Sequence, residues 1–240
     1  MMATPATLKT QPRERLILSV EGNIGIGKST LLAHLKARWE HDETVAFVDE
    51  PVELWESRGL LEAMYTGRIS RSAFQLMALT SRFGSLMKAL SNPAATLIIT
   101  ERSIQSDKAG FAVVNLDRKC DQDAYRATYD ALFASLPSDV LHGMVLLHAP
   151  LPVLNERISK RGRAAEDADT DAGGGVPDEY LRRLDEAHRI FYEEYDPAVK
   201  RSVDATVSAA DVARQVFTAI DEISEAARNA CHSPTSVMVL

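Results

Sequence analysis

The sequence predicts an α/β fold in which helices flank a parallel sheet of five strands. Short apolar runs alternate with longer stretches that carry apolar residues three and four apart, the pattern of repeated strand–helix units. The strand candidates are apolar throughout rather than at every second position, which indicates strands covered on both faces. These strands are Leu16–Val20, Thr44–Val48, Thr96–Thr100, Met144–His148 and, with a weaker pattern, Val199–Ala205.

Helical periodicity fills most of the chain between these strands. In the stretch before the fifth strand, His188 belongs to an apolar stripe at three- and four-residue spacing that begins at Leu181. A capping pattern from Ser208 to Asp211 begins a last helix. The other predicted helices are Ser29–Glu40, Arg71–Leu90, Gln122–Ser135, Leu151–Lys160 and Asp178–Tyr195.

Composition limits the classes of partner. The chain has 240 residues, 45% of them hydrophobic, which suits one domain with a sizeable core. The formal net charge of −7 disfavours binding to nucleic acid, whose phosphate backbone requires a cationic surface. A local cluster of basic residues can still bind a small anionic ligand. We therefore expect small-molecule ligands and no nucleic-acid partner.

The terminal segments and cysteines indicate an intracellular protein. No apolar run reaches the roughly 18 residues of a membrane span, and the first eleven residues make a poor secretion or transit signal. Cys120 and Cys231 lack metal-type spacing and are expected to be free thiols in a reducing compartment. We expect a cytoplasmic location without membrane contact, a disordered lead-in over residues 1–13, one domain over 14–230 and a flexible tail over 231–240.

The most specific motif is a glycine-rich loop between the first strand and the first helix. Residues Gly22 to Ser29 read GNIGIGKS, a complete G-x4-G-K-[ST] pattern in the context that such a loop requires. Its backbone N–H groups and the helix N-terminus bind phosphates, Lys28 would bridge the β- and γ-phosphates, and Ser29 would ligate Mg²⁺. The alternative is a glycine-rich turn that matches by accident. The candidate ATP-binding residues are Gly22, Asn23, Ile24, Gly25, Ile26, Gly27, Lys28, Ser29 and Thr30.

Acidic and basic residues follow the second and third strands. Glu50 and the Glu101-Arg102 pair would lie in the crevice at the carboxyl ends of the parallel strands. Glu50 could accept a proton from an attacking hydroxyl, Glu101 could hold Mg²⁺, and Arg102 could reach a phosphate. Taken alone, a glutamate such as Glu50 is more often a solvated loop residue than a base, and a Glu–Arg pair at a strand end is usually a structural ion pair.

Two helical segments supply further candidates. Gln75, Ala78 and Arg82 share one helix face that could read the edge of a nucleobase, although a solvated face is the simpler alternative. At the end of another helix, three arginines precede the Asp- and Gly-rich stretch Asp167–Gly175, which is expected to be a flexible loop. Together they suit a lid over phosphates at residues 157–177, the alternative being a basic turn that complements the helix dipole. The lid arginines are Arg157, Arg161 and Arg163.

Taken together, the motifs resemble the deoxyribonucleoside kinase family, most closely its deoxycytidine and deoxyguanosine kinase branch. The resemblance extends from about Leu16 to Asp204 and rests on EGNIGIGKST, EPVELW, FQLMALTSR, ERSIQSD and RISKRGR in this order. It implies a P-loop kinase fold with an arginine-bearing lid, ATP as phosphate donor, Mg²⁺, a deoxynucleoside acceptor and a homodimer.

The resemblance also implies a role for each matching residue. Glu50 would be the general base, Arg102 would contact the 5′-oxygen, and Glu101 with Ser29 would hold Mg²⁺. Tyr65 and Glu166 would bind the 3′-hydroxyl. The nucleobase would be read by Gln75, Arg82 and Asp107, packed by Phe74 and Phe111, and walled by Val52 and Trp55, with the space beside Ala78.

The predicted reaction is therefore the ATP-dependent 5′-phosphorylation of deoxyribonucleosides, in nucleoside salvage. If Arg82 keeps Asp107 ionised, that carboxylate can only accept hydrogen bonds, which favours the amino group of cytosine or adenine over the O4 of thymine. Alternatives are a thymidine-preferring or broad-specificity kinase, a nucleoside monophosphate kinase and an inactive scaffold subunit. A GTPase switch is disfavoured because no N-K-x-D-like guanine reader is present.

Overall fold

A computed structural model gives the architecture of the chain. It describes the side chains of residues 15–136, 141–163, 176–195 and 200–226, and the backbone of Val199 and of the last helix as far as His232. The predicted lead-in, Glu166, the loop Asp167–Gly175 and the tail beyond His232 lie outside the described residues. The predictions for these segments therefore stay predictions.

Five parallel strands form one sheet in the order β2-β3-β1-β4-β5. In the register of the central pair, Leu18 is opposite Ile99 and Val20 is opposite Glu101. This arrangement confirms the predicted five-stranded parallel sheet. The strands are Leu16–Glu21 (β1), Val45–Val48 (β2), Leu97–Glu101 (β3), Gly143–His148 (β4) and Val199–Asp204 (β5).

The long helices lie close to their predicted positions, but shorter ones were not predicted from the sequence. The segment 104–115 contains two short α-helical turns that flank a π-helical stretch over Asp107–Ala112. Helices of three to six residues contain too few turns to show a periodic apolar pattern. The helices are Lys28–Arg38 (α1), Val52–Ser57 (α2), Leu60–Tyr65 (α3), Arg71–Leu90 (α4), Ile104–Ser106 (α5), Val113–Asn115 (α6), Lys119–Phe133 (α7), Leu151–Arg161 (α8), Asp178–Glu194 (α9) and Ala209–His232 (α10).

The sheet is buried on both faces, as the continuously apolar strands require. On one face Leu18 and Val20 pack with apolar side chains of α1 and α10. On the other face Ile17, Ile98 and Met144 pack with side chains of α4, α7 and α9. Adjacent strand residues point to opposite faces, so each strand contributes to both layers of packing. Since helices cover both faces, the carboxyl ends of the strands are the region where a ligand can bind. None of the described helices combines the length and the apolar character that a membrane span requires.

Candidate active site

A cavity of about 540 Å³ opens at the carboxyl ends of β1, β2 and β3. It brings together residues that are far apart in the sequence, from the glycine-rich loop to α8. Gly22, Asn23 and Asp107 do not line it, and Glu166 lies outside the described residues. The predicted residues that line it are Ile24, Gly25, Ile26, Gly27, Lys28, Ser29, Thr30, Glu50, Val52, Trp55, Tyr65, Phe74, Gln75, Ala78, Arg82, Glu101, Arg102, Phe111, Arg157, Arg161 and Arg163.

The glycine-rich loop connects β1 to α1 and turns tightly around Lys28. Gly27 has a φ of 103°, a conformation that side-chain-bearing residues rarely adopt, and α1 begins at the next residue. The Lys28 Nζ donates hydrogen bonds to the backbone oxygens of Gly22 at 3.2 Å and Asn23 at 2.9 Å. Burial, followed by the charge of Arg102, lowers the pKa of Lys28 to about 7. A polyphosphate beside this amine would therefore favour its charged form.

Gly22 and Asn23 shape the loop from outside the cavity. Asn23 is 2% exposed, its amide nitrogen donates to the Leu181 oxygen at 2.8 Å, and its side-chain oxygen accepts from the Ile24 N–H at 2.8 Å. The first contact attaches the loop to α9, and the second fixes the turn within the loop. The two residues therefore orient the loop rather than line the cavity.

A hydroxyl and a carboxylate meet beside Lys28. The Ser29 Oγ donates a hydrogen bond to Glu101 Oε1 at 2.9 Å, which joins the start of α1 to the end of β3. Burial raises the pKa of Glu101, and the charge of Lys28 opposes that effect. Hard oxygen ligands of this kind suit Mg²⁺, which keeps few protein ligands and completes its shell with water and substrate phosphates. The pair could therefore hold the metal predicted from the sequence.

Glu50 is held between two guanidinium groups. Arg82 Nη2 donates to Glu50 Oε1, and Arg102 Nε lies 3.2 Å and 3.3 Å from the two carboxylate oxygens. Burial alone would raise the pKa of Glu50, but the charges of Arg102 and Arg82 outweigh it and hold the pKa well below its usual range. Glu50 is therefore an ionised hydrogen-bond acceptor at neutral pH.

Asp107 lies behind Arg82 instead of on the cavity wall. Its side chain is 0% exposed; one oxygen accepts from Arg82 Nη1 and the other accepts from the Tyr125 hydroxyl at 2.6 Å. Burial raises the pKa of Asp107, while the Arg82 charge and the Tyr125 hydrogen bond oppose that rise. The structure thus brings Arg82 and Asp107 together, as predicted, but it is Arg82 that faces the cavity.

Aromatic side chains enclose the part of the cavity next to Arg82. The Arg82 guanidinium carbon lies 4.9 Å from the Trp55 ring centroid and 5.4 Å from that of Phe111. Phe74 meets Trp55 edge to face at 5.5 Å between centroids. Gln75 is 3% exposed and its side-chain oxygen has no hydrogen-bond partner. A flat ligand with a hydrogen-bond donor would satisfy both the aromatic walls and this amide.

Three arginines from α8 and the turn that follows it line the cavity. Arg157 donates to the backbone oxygens of Ile26 at 2.9 Å and Ala205 at 2.7 Å, so it joins the glycine-rich loop to the turn after β5. Arg163 Nε pairs with Glu56 of α2 at 2.5 Å. Arg161 and Tyr65 also line the cavity. All three predicted lid arginines therefore line the same cavity as the glycine-rich loop.

Sequence reasoning missed apolar lining residues and three polar side chains at the site. Lys160 and Tyr180 line the cavity, and His188 lies behind it with its Nε2 2.8 Å from Arg102 Nη1. Lys160 follows directly from the same basic helix end and could have been included. Tyr180 and His188 lie on α9 and give no local signal, because a tyrosine and a histidine on a largely apolar stripe are typical of a helix core.

Comparisons with known proteins agree on the family. The sequence profile of the family described as "Deoxynucleoside kinase" matches residues 18–231. The chain is 31% identical to deoxycytidine kinase 1 of Xenopus laevis over 206 residues, or 72% of each chain. It is 29% identical to the thymidine kinase of Ictalurid herpesvirus 1 over 212 residues, or 85% of each chain.

A solved structure supports the fold. Deoxyadenosine kinase from M. mycoides with bound dATP superposes with a TM-score of 0.67 at 23% identity, covering 86% of this chain and 100% of that one. The strand order and the glycine-rich loop are consistent with the family that the sequence profile identifies. The chain therefore belongs to the deoxynucleoside kinase family, whose members are phosphotransferases.

Proposed function

We propose that the protein transfers the γ-phosphoryl group of ATP to the 5′-hydroxyl of a deoxyribonucleoside. The observation that carries the proposal is the position of Glu50, an ionised carboxylate in the same cavity as the glycine-rich loop. Phosphoryl transfer requires the acceptor oxygen to be placed in line with the γ-phosphate and the developing charge to be neutralised. The carboxylate would place the acceptor oxygen, and the phosphate-binding loop in the same cavity would neutralise the developing charge.

The donor side consists of the glycine-rich loop, Lys28 and α8. Loop N–H groups and Lys28 would bind the β- and γ-phosphates, and Arg157, Arg161 and Arg163 would neutralise the transferred group. Ser29 and Glu101 would hold Mg²⁺, which when bound neutralises phosphate charge. The 2.9 Å hydrogen bond between these two side chains supports this assignment, since it brings a hydroxyl and a carboxylate to one point.

The acceptor side consists of Glu50 and Arg102. Glu50 would accept a hydrogen bond and then the proton from the 5′-hydroxyl, and Arg102 would contact the 5′-oxygen. Tyr65 and Glu166 would bind the 3′-hydroxyl. The nucleoside hydroxyl would take the place of the Arg82 contact on Glu50. An ionised carboxylate suits a neutral hydroxyl and repels the phosphate that a monophosphate kinase must accept.

The base preference is the finer part of the proposal. Deoxycytidine or a purine deoxynucleoside would be favoured over thymidine. An exocyclic amino group that displaced part of the Arg82 contact would reach Asp107, and this carboxylate can only accept hydrogen bonds. The Gln75 amide can flip to suit either kind of ring nitrogen, so it does not decide the preference. Each carboxylate oxygen has a second lone pair, so Asp107 could accept such a bond while keeping Tyr125. Ala78 leaves space for a larger ring. A buried mismatched polar group costs about a factor of 10⁴ in discrimination, more than a methyl group does.

A steady-state panel tests both parts. The four natural deoxynucleosides and their monophosphates are each supplied with Mg²⁺ and ATP, and 5′-phosphorylated products are quantified. We expect turnover of deoxynucleosides, with kcat/KM highest for deoxycytidine or a purine. Phosphorylation of monophosphates alone would refute the acceptor assignment, and no turnover at all would favour a scaffold. A strong preference for thymidine would refute only the base preference.

A further inference from the structure

His188 of α9 contacts Arg102 from the side away from the cavity. It is 2% exposed, and its Nε2 lies 2.8 Å from Arg102 Nη1 while its Nδ1 lies 2.7 Å from the Leu184 oxygen. A guanidinium can only donate and a carbonyl oxygen can only accept. The two contacts therefore require the neutral tautomer with the proton on Nδ1 and the lone pair of Nε2 directed at Arg102.

The surroundings of the ring keep it neutral. Burial, followed by the charge of Arg102, lowers the pKa of His188 to about 3. The other charged groups that act on the ring are Lys28, which lowers the pKa, and Glu50, which raises it. His188 is thus a hydrogen-bond acceptor for Arg102 throughout the neutral range.

Packing leaves the ring little freedom to move. It meets Phe111 edge to face, with 5.9 Å between centroids and an interplanar angle of 88°. On Gly110, a Cβ would lie only 3.4 Å from the His188 Cε1, so the backbone passes close to the ring edge. Phe111 also lies against Arg102, 4.5 Å from its guanidinium carbon to the ring centroid. The histidine and the arginine therefore contact one aromatic wall of the cavity.

Arg102 depends on such support. Its φ of 64° is the one positive value among the described residues other than glycine, a strained conformation that persists when surrounding contacts hold it. The neighbouring Ser103 N–H donates to Glu21 Oε1 at 2.9 Å, which holds the backbone of this turn. On the side chain, Nη1 donates to the Gly22 oxygen at 2.9 Å and to His188, and Nε faces Glu50. This arrangement leaves Nη2 for a ligand oxygen.

We infer that His188 is a positioning residue that accepts a hydrogen bond from Arg102 and thereby aims its guanidinium at the 5′-oxygen and the transferred phosphoryl group. Without this acceptor, Arg102 Nη1 loses one of its two partners and the guanidinium can rotate away from the reacting atoms. The inference rests on the proposed function, since it assigns a task to Arg102 in that reaction. Turnover by the wild-type protein with deoxynucleosides tests the function independently.

A matched pair of variants provides the test. In His188→Gln the amide can place its oxygen near the position of Nε2, whereas in His188→Asn the amide reaches only the position of Nδ1. We expect Asn to lower kcat about 10- to 100-fold, as for a misplaced catalytic group, and Gln to retain most of it. Thermal unfolding measures the folded fraction of each variant, and each kcat is calculated per folded molecule. Equal losses in both variants would overturn the inference.

A double-mutant cycle shows whether His188 acts through Arg102. In single-turnover measurements, His188→Asn should cost little further rate once Arg102 is replaced by Ala. If His188 had only a structural role, His188→Asn would lower the rate by the same factor in the wild-type and the Arg102→Ala proteins. That result would refute the inference.

A measurement without substitutions covers the case in which the variants do not fold. In the wild-type protein labelled with ¹⁵N-histidine, one imidazole should keep an unprotonated Nε2 and a protonated Nδ1 from about pH 5 to 9. If no imidazole has this fixed tautomer, the inference fails.

Discussion

Replacing Glu50 with glutamine tests the proton-transfer step of the proposed reaction. The amide keeps the size of the carboxylate but cannot take a proton from the 5′-hydroxyl. Loss of a general base lowers the rate by about 10²–10⁴, equivalent to roughly 2.7–5.4 kcal/mol of transition-state stabilisation. We expect the loss in kcat, with the KM of the nucleoside nearly unchanged, because Trp55, Phe74 and Gln75 still enclose the base.

The same substitution should lower stability by a smaller amount. Arg82 keeps Asp107, and Arg102 keeps the Gly22 oxygen and His188, so neither guanidinium is left without a partner. We therefore expect about 1–3 kcal/mol, the cost of an incompletely satisfied charged hydrogen bond, rather than the larger cost of an isolated buried charge.

The pH dependence of this stability difference has a defined sign. The folded-state pKa of Glu50 lies below its ordinary value of 4.5, so its contribution is present above that pH. It is lost as the pH falls towards the folded-state pKa. The difference in unfolding free energy between wild type and Glu50→Gln should therefore be largest near pH 7 and shrink below pH 4.5.

Steady-state kinetics and denaturant unfolding measure the two effects separately. Glu53→Gln, an exposed carboxylate on α2, is the matched control and should change neither. A Glu50→Gln enzyme with kcat within about threefold of wild type would refute the assignment of the base.

Three further predictions follow from the same site. Arg82→Met combined with Asp107→Ala should raise thymidine activity relative to deoxycytidine in the substrate panel; an unchanged ratio would show that this pair does not read the base. Because bound polyphosphate should raise the pKa of Lys28 from about 7, MgATP binding should take up protons at pH 7–9 and weaken as the pH rises. Calorimetry in buffers of different ionisation enthalpy would detect the uptake, which Lys28→Met should abolish. Gly25→Ala should lower both kcat and stability, because the φ is 77° and the new Cβ would lie 2.7 Å from Ile158 of α8. Gly84→Ala should raise stability by about 0.4–1 kcal/mol, because the new Cβ would meet no neighbouring atom within 4 Å. Equal melting temperatures for the two variants would contradict this prediction.

The five strands and the glycine-rich loop could be predicted because their determinants are local. Residues Gly22 to Ser29 are consecutive, so their spacing alone specifies a phosphate-binding turn between a strand and a helix. Glu50 and Glu101 follow strand runs, and parallel strands bring their carboxyl ends to one edge. The three lid arginines lie within one stretch of seven residues that covers the end of a helix and the turn after it.

Contacts between distant segments could not be predicted in this way. The hydrogen bond from Arg102 to His188 spans 86 residues, and that from Tyr125 to Asp107 joins α7 to the π-helical stretch. Whether Asp107 faces the cavity or lies behind Arg82 depends on how α4 and α7 pack over the sheet, which no single segment encodes.

The sequence alone thus determined the fold class, the phosphate-binding loop and the set of polar residues at the strand ends, because each depends on residues close together in the chain or on a regular pattern. Only the tertiary structure decided which of these side chains contact one another. The charge on Glu50, the neutral form of His188 and the place of Asp107 all depend on burial and on neighbours from other elements, since desolvation and Coulomb interactions are set by distances in space and not by spacing along the chain.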